Sequence, residues 1–518
     1  MQTRIKYHAS MSARGLRGAR SLLLRDYLQR ALYEQSSGYF AKEVVRAGQA
    51  LPFHSFGGEK DYRLKLAAEY AQAERAWLTP VETFQPHYAH AIARCIHETH
   101  SALYPGEPLQ VLEVGGGNGT FAAGVMGWLR SEAPETFARS RYLLLEVSER
   151  LAEAQRRRLH AERLPAERWE VVHSCASAWA EELEAPLPGP WFVVALEVLD
   201  NLPHDKLRLA PDASTGVPTL YEAHVRLPEV ATGADGPGHD GWYPAGAAAA
   251  GVSWLPSVSA GGGSDGRGSD DGRDGGAGGG AGGGIGRCTE EWRPMADADV
   301  RDVAELLGLD SAEGILQLRR NMAAVGARAS LGGGEGGSDG VGGRGGAAAA
   351  AAAAAELAAG LQGWMSAAVG EPAHTVRAEA PPVFLPTGAY RLLCRLLAAC
   401  PEHQLLLADF DYLPPQPDGA VGAPVVQTQR RGVTVDLRGD YLALPGECDV
   451  LFPTHFRGLA ELCAALVPHR TPPAVVRTAD FMRRHADLRA TACADGYNPL
   501  LEDFSNTSML VSGWESVQ

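Results

Sequence analysis

Cysteine, basic charge and long apolar runs are all in short supply in this chain. Its eight cysteines include no Cys-x-x-Cys pair, so neither a structural zinc site nor a disulfide framework is indicated, and a reducing compartment is the default. The sixteen histidines are scattered without a His-Glu-x-x-His motif, and no metal is expected. No run of about 20 apolar residues is available to span a bilayer. Lysine and arginine number 47 against 62 Asp and Glu, and a net charge of −15 excludes the broad basic face that nucleic-acid binding needs. The basic run at 156–160 reads as the solvated side of a helix. Acid is missing from the amino terminus: before Asp26 the chain carries Arg4, Lys6, Arg14, Arg17, Arg20 and Arg25, several serines and no carboxylate. That is the composition of an organellar transit segment, expected over residues 1–20.

Glycine, by contrast, is plentiful at 61 residues, and it is most concentrated near a candidate site in "VLEVGGGNGTF", residues 111–121. The run Val111, Leu112, Val114 fits a buried parallel strand, and "TFAAGVMGWLR" after it fits the first turns of a helix. At a strand-to-helix turn, glycine permits unusual dihedrals and lets a ligand reach backbone N–H groups at the positive end of a helix. A phosphate-cradling P-loop is excluded, because no lysine followed by Ser or Thr ends the loop. Two frames stay open. One is acid-x-Gly-x-Gly-x-Gly, with Glu113, Gly115, Gly117 and Gly119; the other is a dinucleotide fingerprint over Gly117, Gly119 and Ala122.

Further strands follow. "RYLLLEVSERL" supplies an apolar run from Tyr142 to Leu145, closing with Glu146 before a helix that starts at Ser148. "RWEVVHS" predicts a third strand ending near Ser174, and "PWFVVALEVLDNLPHD" a fourth, with Glu197 and Asp200 at or just beyond its end. Carboxylates thus mark three strand ends, which is where an open parallel sheet binds ligands. Glu146 is placed to accept hydrogen bonds from both hydroxyls of a ribose. The plain alternative is solvated acids in loops, with Asp200 and Asn201 as turn or helix-cap residues.

Residues 257–286 and 332–346 are Gly/Ser/Asp tracts that cannot bury enough apolar surface to order themselves. Ala347 to Ala355 continue as a helix into "ELAAGLQGWMSAAV", and between the tracts "EEWRPMADADVRDVAELLGLD" reads as an island of structure. The expected organisation is a core over 21–230, a variable insertion over 231–379, and a return to the core over 380–518.

The combination "LEVGGGNGT", "LLLEVSERL" and "ALEVLDNLPHDKL" resembles the MidA family of mitochondrial complex I assembly methyltransferases, within the class I S-adenosylmethionine-dependent superfamily. The opening "LLLRDYLQRALYEQSSGYF" and the late segments "HQLLLADFDYLP" and "CDVLFPTHFRGL" are similar to the same family. The chain departs from it at "LPFHSFGGEKDYRL", Leu51 to Leu64, and at His204, which falls one position early. The resemblance implies an α/β, Rossmann-like fold with a mostly parallel twisted sheet flanked by helices and an inserted variable region. It implies S-adenosyl-L-methionine as cofactor, held by Gly115, Gly117 and Gly119, with Glu146 on the ribose and Glu113 orienting the loop or the cofactor's amino group. The acceptor it implies is a protein arginine, symmetrically dimethylated during assembly of respiratory complex I. Glu197 and Asp200 would orient the guanidinium, and His204 would assist proton removal or cap the next helix. The location it implies is the mitochondrial matrix, with chloroplast or cytoplasm as alternatives. Two other readings stay open: a cofactor-binding or inactive assembly protein that acts by contact, and a nicotinamide oxidoreductase using the Gly117, Gly119, Ala122 frame. The ribose acid of the latter belongs about 20 residues past the loop, close to the spacing of Glu146.

Overall fold

The computed structural model describes residues 21–34, 37–42, 48–71, 79–228, 288–331, 380–430, 433–443 and 445–514. The transit segment, both glycine-rich tracts and Ala347–Ala355 lie outside the described residues. In chain order the strands are β1 (Ser21–Leu23), β2 (Gln110–Val114), β3 (Arg141–Glu146), β4 (Trp169–His173), β5 (Trp191–Leu196), β6 (Asp205–Pro211), β7 (Pro218–Arg226), β8 (Thr289–Pro294), β9 (Val383–Leu385), β10 (His403–Phe410), β11 (Val425–Arg430), β12 (Val433–Asp436), β13 (Asp449–Leu451), β14 (Ala474–Arg477) and β15 (Thr507–Val511).

The central sheet runs β14-β15-β10-β5-β2-β3-β4. Strands β10, β5, β2, β3 and β4 pair in parallel, and β15 lies antiparallel to both β10 and β14. Alternate residues point into two separate cores: Leu112, Val114, Leu143, Leu145, Val193 and Ala195 into one, Val111, Leu144, Phe192 and Val194 into the other. A strand buried on both faces needs a near-continuous apolar run, which is why these segments show no alternation in sequence. Helices His87–Leu103, Thr120–Glu132 and Thr478–His485 close the second core. Helices Ala298–Leu306, Thr387–Ala399 and Phe456–Leu466 close the first. The α/β, mostly parallel architecture is therefore the one the sequence implied.

After β5 the chain does something the strand-to-helix rhythm did not suggest. A turn leads straight into β6, the middle of an antiparallel sheet ordered β1-β7-β6-β9 with β8 on the far edge of β7. No helix follows His204, so that residue has none to cap. The reason is at Asp205, whose carboxylate accepts from Arg25 NH1 at 2.7 Å and from the Thr387 hydroxyl at 2.6 Å, pinning the first residue of β6 between the lead-in helix Leu24–Tyr33 and helix Thr387–Ala399. Arg25 also bonds Asp297 at 2.9 and 2.5 Å. Asp297 is the N-cap of helix Ala298–Leu306, so the segment between the two tracts is tied to the core. Its β8 pairs with β7 from Arg226↔Thr289 to Tyr221↔Pro294. A third, small sheet β12-β11-β13 delivers Asp449, at the start of β13, to the carboxyl end of the central sheet.

Among the described residues no helix is long and apolar enough to cross a membrane, and no group of three or more His, Cys, Asp or Glu side chains is placed to hold a metal ion.

Candidate active site

The glycine loop joins β2 to helix Thr120–Glu132. Gly115, Gly117 and Gly119 have φ of 70°, 51° and 77°, the left-handed region that side chains disfavour. The protein itself claims part of the missing space. A β-carbon on Gly115 would lie 2.8 Å from Val198 Cγ2, and one on Gly119 would lie 3.0 Å from Gln155 Cα. Gly119 is the N-cap of the helix and makes no side-chain cap bond, which leaves N–H groups of the first turn facing the crevice end of the sheet.

The loop is gripped from outside by a residue the sequence reading passed over. Glu82, 2% exposed on helix Pro80–Thr83, accepts from Thr120 Oγ1 at 2.7 Å and Asn118 Nδ2 at 3.2 Å through one oxygen, and from the Gly48 N–H at 2.8 Å through the other. It thus shares in orienting the loop, a part the sequence reading gave to Glu113 alone, and it lies outside the divergent stretch Leu51–Leu64. That stretch instead forms a short 3-10 turn and the start of helix Glu59–Ala71, with Phe53 stacked on Phe84.

Glu113 and Glu146 sit at the carboxyl ends of β2 and β3, both buried. Glu113 accepts from the Tyr142 hydroxyl at 2.7 Å, and its carboxylate lies beside Gly116, under the loop. Burial raises its pKa to about 8, although the Tyr142 bond acts the other way. Glu146 accepts from the Ser148 N–H at 2.9 Å and from Gln155 Nε2 at 3.0 Å, and the same Gln155 nitrogen reaches the Gly117 carbonyl at 3.0 Å. Gln155 therefore couples the ribose-side acid to the glycine loop. Burial raises Glu146 to about 7, opposed by those hydrogen bonds.

Beyond β5 the structure assembles more carboxylates than the sequence had grouped. Glu197 has a φ of 54°, a strained conformation for a non-glycine residue, and its N–H donates to the Ala408 carbonyl at 2.9 Å. Asp200 lies in the turn after it, and its Oδ1 is buried without a hydrogen-bond partner among the described residues. Asp409, at the end of β10, accepts from the Leu199 and Asp200 N–H groups at 2.8 and 3.1 Å and so holds that turn in shape. Asp449 accepts from Asn201 Nδ2 at 2.8 Å. Burial first, and mutual repulsion second, push Glu197 and Asp200 well above the usual carboxylate range. Burial raises Asp409 and Asp449 to about 7, against the N–H bonds they accept. No lysine or arginine among the described residues forms an ion pair with any of the four.

Two tyrosines flank this cluster. Tyr33, at the end of the lead-in helix, donates to the Asn201 carbonyl at 3.1 Å and stacks on Phe40, and its hydroxyl lies in the field of Asp200, Asp449 and Glu146. Tyr88 lies in the field of Glu197 and Asp409. His204 is placed differently: it stacks on Phe452 with ring centroids 4.0 Å apart, donates from Nδ1 to the Leu202 carbonyl at 2.8 Å, and is held neutral by burial, its pKa lowered to about 4. Its surroundings are those of a packed core histidine.

A family model described as "Putative S-adenosyl-L-methionine-dependent methyltransferase" matches residues 91–235 and 352–470, just over half of the chain. Among solved structures, a Burkholderia thailandensis protein described as a "likely methyl transferase" and crystallised with S-adenosyl-homocysteine is similar over 95% of this chain and 87% of its own, at 15% identity and a TM-score of 0.50. A native crystal structure of an uncharacterised superfamily protein from the same organism covers the same shares at 14% identity and a TM-score of 0.47. Among curated proteins, none matches. The cofactor is thus S-adenosyl-L-methionine, and the nicotinamide frame is displaced. The residues suit it on two counts. The loop offers backbone rather than side chains, and Glu197 and Asp200, buried with no ion-pair partner among the described residues, are carboxyls that a ligand carrying sulfonium and ammonium groups can draw into the charged form.

Proposed function

Because the chain belongs to the S-adenosyl-L-methionine-dependent methyltransferase family matched above, we propose that it methylates a protein arginine, in the manner of the MidA-like enzymes whose motifs it shares, and that it does so in the mitochondrial matrix during complex I assembly. The observation that carries the reading is the set of four buried carboxyls, Glu197, Asp200, Asp409 and Asp449, with no cation among the described residues to balance them. Burial of several unpaired acids is costly unless a ligand brings positive charge. A cofactor with one net positive charge offsets only part of it. A guanidinium, planar and always charged, can take hydrogen bonds from two carboxylates at once.

The cofactor supplies an already activated methyl group. The protein's work is to align and to hold protons. Gly115, Gly117 and Gly119 keep backbone within reach of the cofactor, Glu146 takes the ribose hydroxyls, and Glu82 and Gln155 fix the loop from either side. Such alignment contributes as much as roughly 7–11 kcal/mol when geometry is ideal. Glu197 and Asp200 orient one guanidinium nitrogen, and Asp200 Oδ1, free of other partners and ionised once the guanidinium is bound beside it, receives the proton that the methylated nitrogen sheds. His204, neutral and stacked, takes no proton in this scheme.

The test is Glu197→Gln and Asp200→Asn, assayed by mass spectrometry of an arginine-bearing complex I subunit after incubation with cofactor. Both variants should bind S-adenosylhomocysteine within a few fold of wild type and lose methyl transfer. Transfer at the wild-type rate in both would move the acceptor carboxylates elsewhere, and loss of cofactor binding would make them cofactor ligands instead.

A further inference from the structure

A cavity of about 420 Å³ opens at the other end of the central sheet, where β10 begins, well away from the glycine loop. Its walls include Tyr104, His403, Gln404, Val467, His469 and Arg470. We propose that it is a second ligand site, built for a small organic anion bearing a carboxylate or a phosphate.

The size is that of ordinary small-molecule pockets, which run from about 300 to 1,000 Å³. Its electrostatics set it apart from the rest of an acidic chain. Arg470 is half-buried and donates from NH1 to the Pro401 carbonyl at 2.9 Å, and among the described residues no carboxylate pairs with it. Its remaining N–H groups can form the fork that carboxylate and phosphate oxygens accept. Gln404, nine-tenths buried, donates from Nε2 to the Tyr104 oxygen at 2.5 Å, which leaves the Tyr104 proton free to be donated to a ligand. His403, also nine-tenths buried, donates from Nδ1 to the Cys400 carbonyl at 2.8 Å, so its neutral ring keeps Nε2 as an acceptor for a ligand hydroxyl such as that of a phosphate. Burial lowers His403 to about 4, and Arg470 and His469 push it the same way, with no acid acting on it. Arg470 and His469 thus converge on one cavity in a chain of net charge −15. The apolar part of the lining, Leu103, Leu405, Val467 and Pro473, suits a carbon skeleton rather than a bare inorganic ion.

The site is separate from the cofactor crevice but shares a strand with it. His403 and Asp409 stand at opposite ends of β10, about 20 Å apart for an extended strand.

Titration calorimetry on the full chain decides it, with inorganic phosphate and glutarate as the two probes. Either should bind, and a preference between them tells a phosphate ligand from a carboxylate one. Arg470→Gln and Tyr104→Phe should each weaken binding by about tenfold or more, while S-adenosylhomocysteine affinity stays at the wild-type value in both and melting temperature stays there in Arg470→Gln. Absence of binding by both probes at millimolar concentration overturns the proposal, as does binding that survives Arg470→Gln or that S-adenosylhomocysteine displaces.

Discussion

The two halves of the crevice are built in different ways. On the cofactor side, partners are near in sequence: Glu146 is met by Ser148 two residues on and by Gln155 nine residues on. On the acceptor side, Asp409 reaches Leu199 across 210 residues and Asn201 reaches Asp449 across 248. A locally closed motif keeps its shape as long as its own strand and helix are formed. A site drawn from β5, β10 and β13 exists only when the whole chain has folded around it. The acceptor half should therefore be the first to fail under strain, with cofactor binding outlasting it.

The largest expected effect breaks the local half directly. In Gly117→Val a β-branched residue must adopt a φ near 51°, and affinity for S-adenosylhomocysteine should fall by about a hundredfold, close to 3 kcal/mol, by calorimetry. Binding at wild-type strength would mean the loop does not form the cradle. Asp409→Ala strikes the other half. It orphans the buried Leu199 and Asp200 N–H groups at about 1–3 kcal/mol, lowering the melting temperature and removing methyl transfer while cofactor affinity changes only a few fold. Equal loss of cofactor binding would erase the distinction between the halves.

A smaller effect concerns pH. Glu146, Asp409 and Asp449 have folded-state pKa values near 7, above their ordinary values, so the folded protein holds more protons than the unfolded chain between roughly pH 4.5 and 7. The free protein should lose stability as pH rises through that window. A cationic ligand draws those pKa values down and releases protons. The affinity of S-adenosylmethionine relative to S-adenosylhomocysteine, which lacks only the sulfonium charge, should rise from pH 6 to pH 8, by less than about tenfold. A flat ratio would show that the acids do not face the cofactor's charge. Smallest of all is excision of residues 260–284: shortening a loop by less than half costs or gains under about 0.6 kcal/mol, and melting temperature should hardly move. A trimmed protein that fails to fold would give the tract a structural part.

What the sequence disclosed follows the same division. The ends of β2 to β5, the helix after the glycine loop and the Ser148 cap were legible because period, glycine and cap residues act over a few positions. Glu82 was not, since nothing local distinguishes it from any acid on a short helix; only its bonds to Thr120 and Asn118, 38 and 36 residues away, give it a role. Asp409 and Asp449 were likewise ordinary acids in late segments. His204 drew attention by its place in a motif, while its ring stack with Phe452 depends on a contact between residues far apart. The antiparallel sheet around β6 left no sign because β6 and β9 are brought together from either side of two low-complexity tracts.

The register of β7 with β8 has a practical consequence. Arg226 and Thr289 are direct cross-strand partners, so the two ends of the segment between them stand side by side. The two positions form a single doorway. A fluorescent protein, an affinity handle or a protease site could be installed there with both ends already held in place, and cleavage at that doorway would leave two fragments that the five-stranded sheet keeps together.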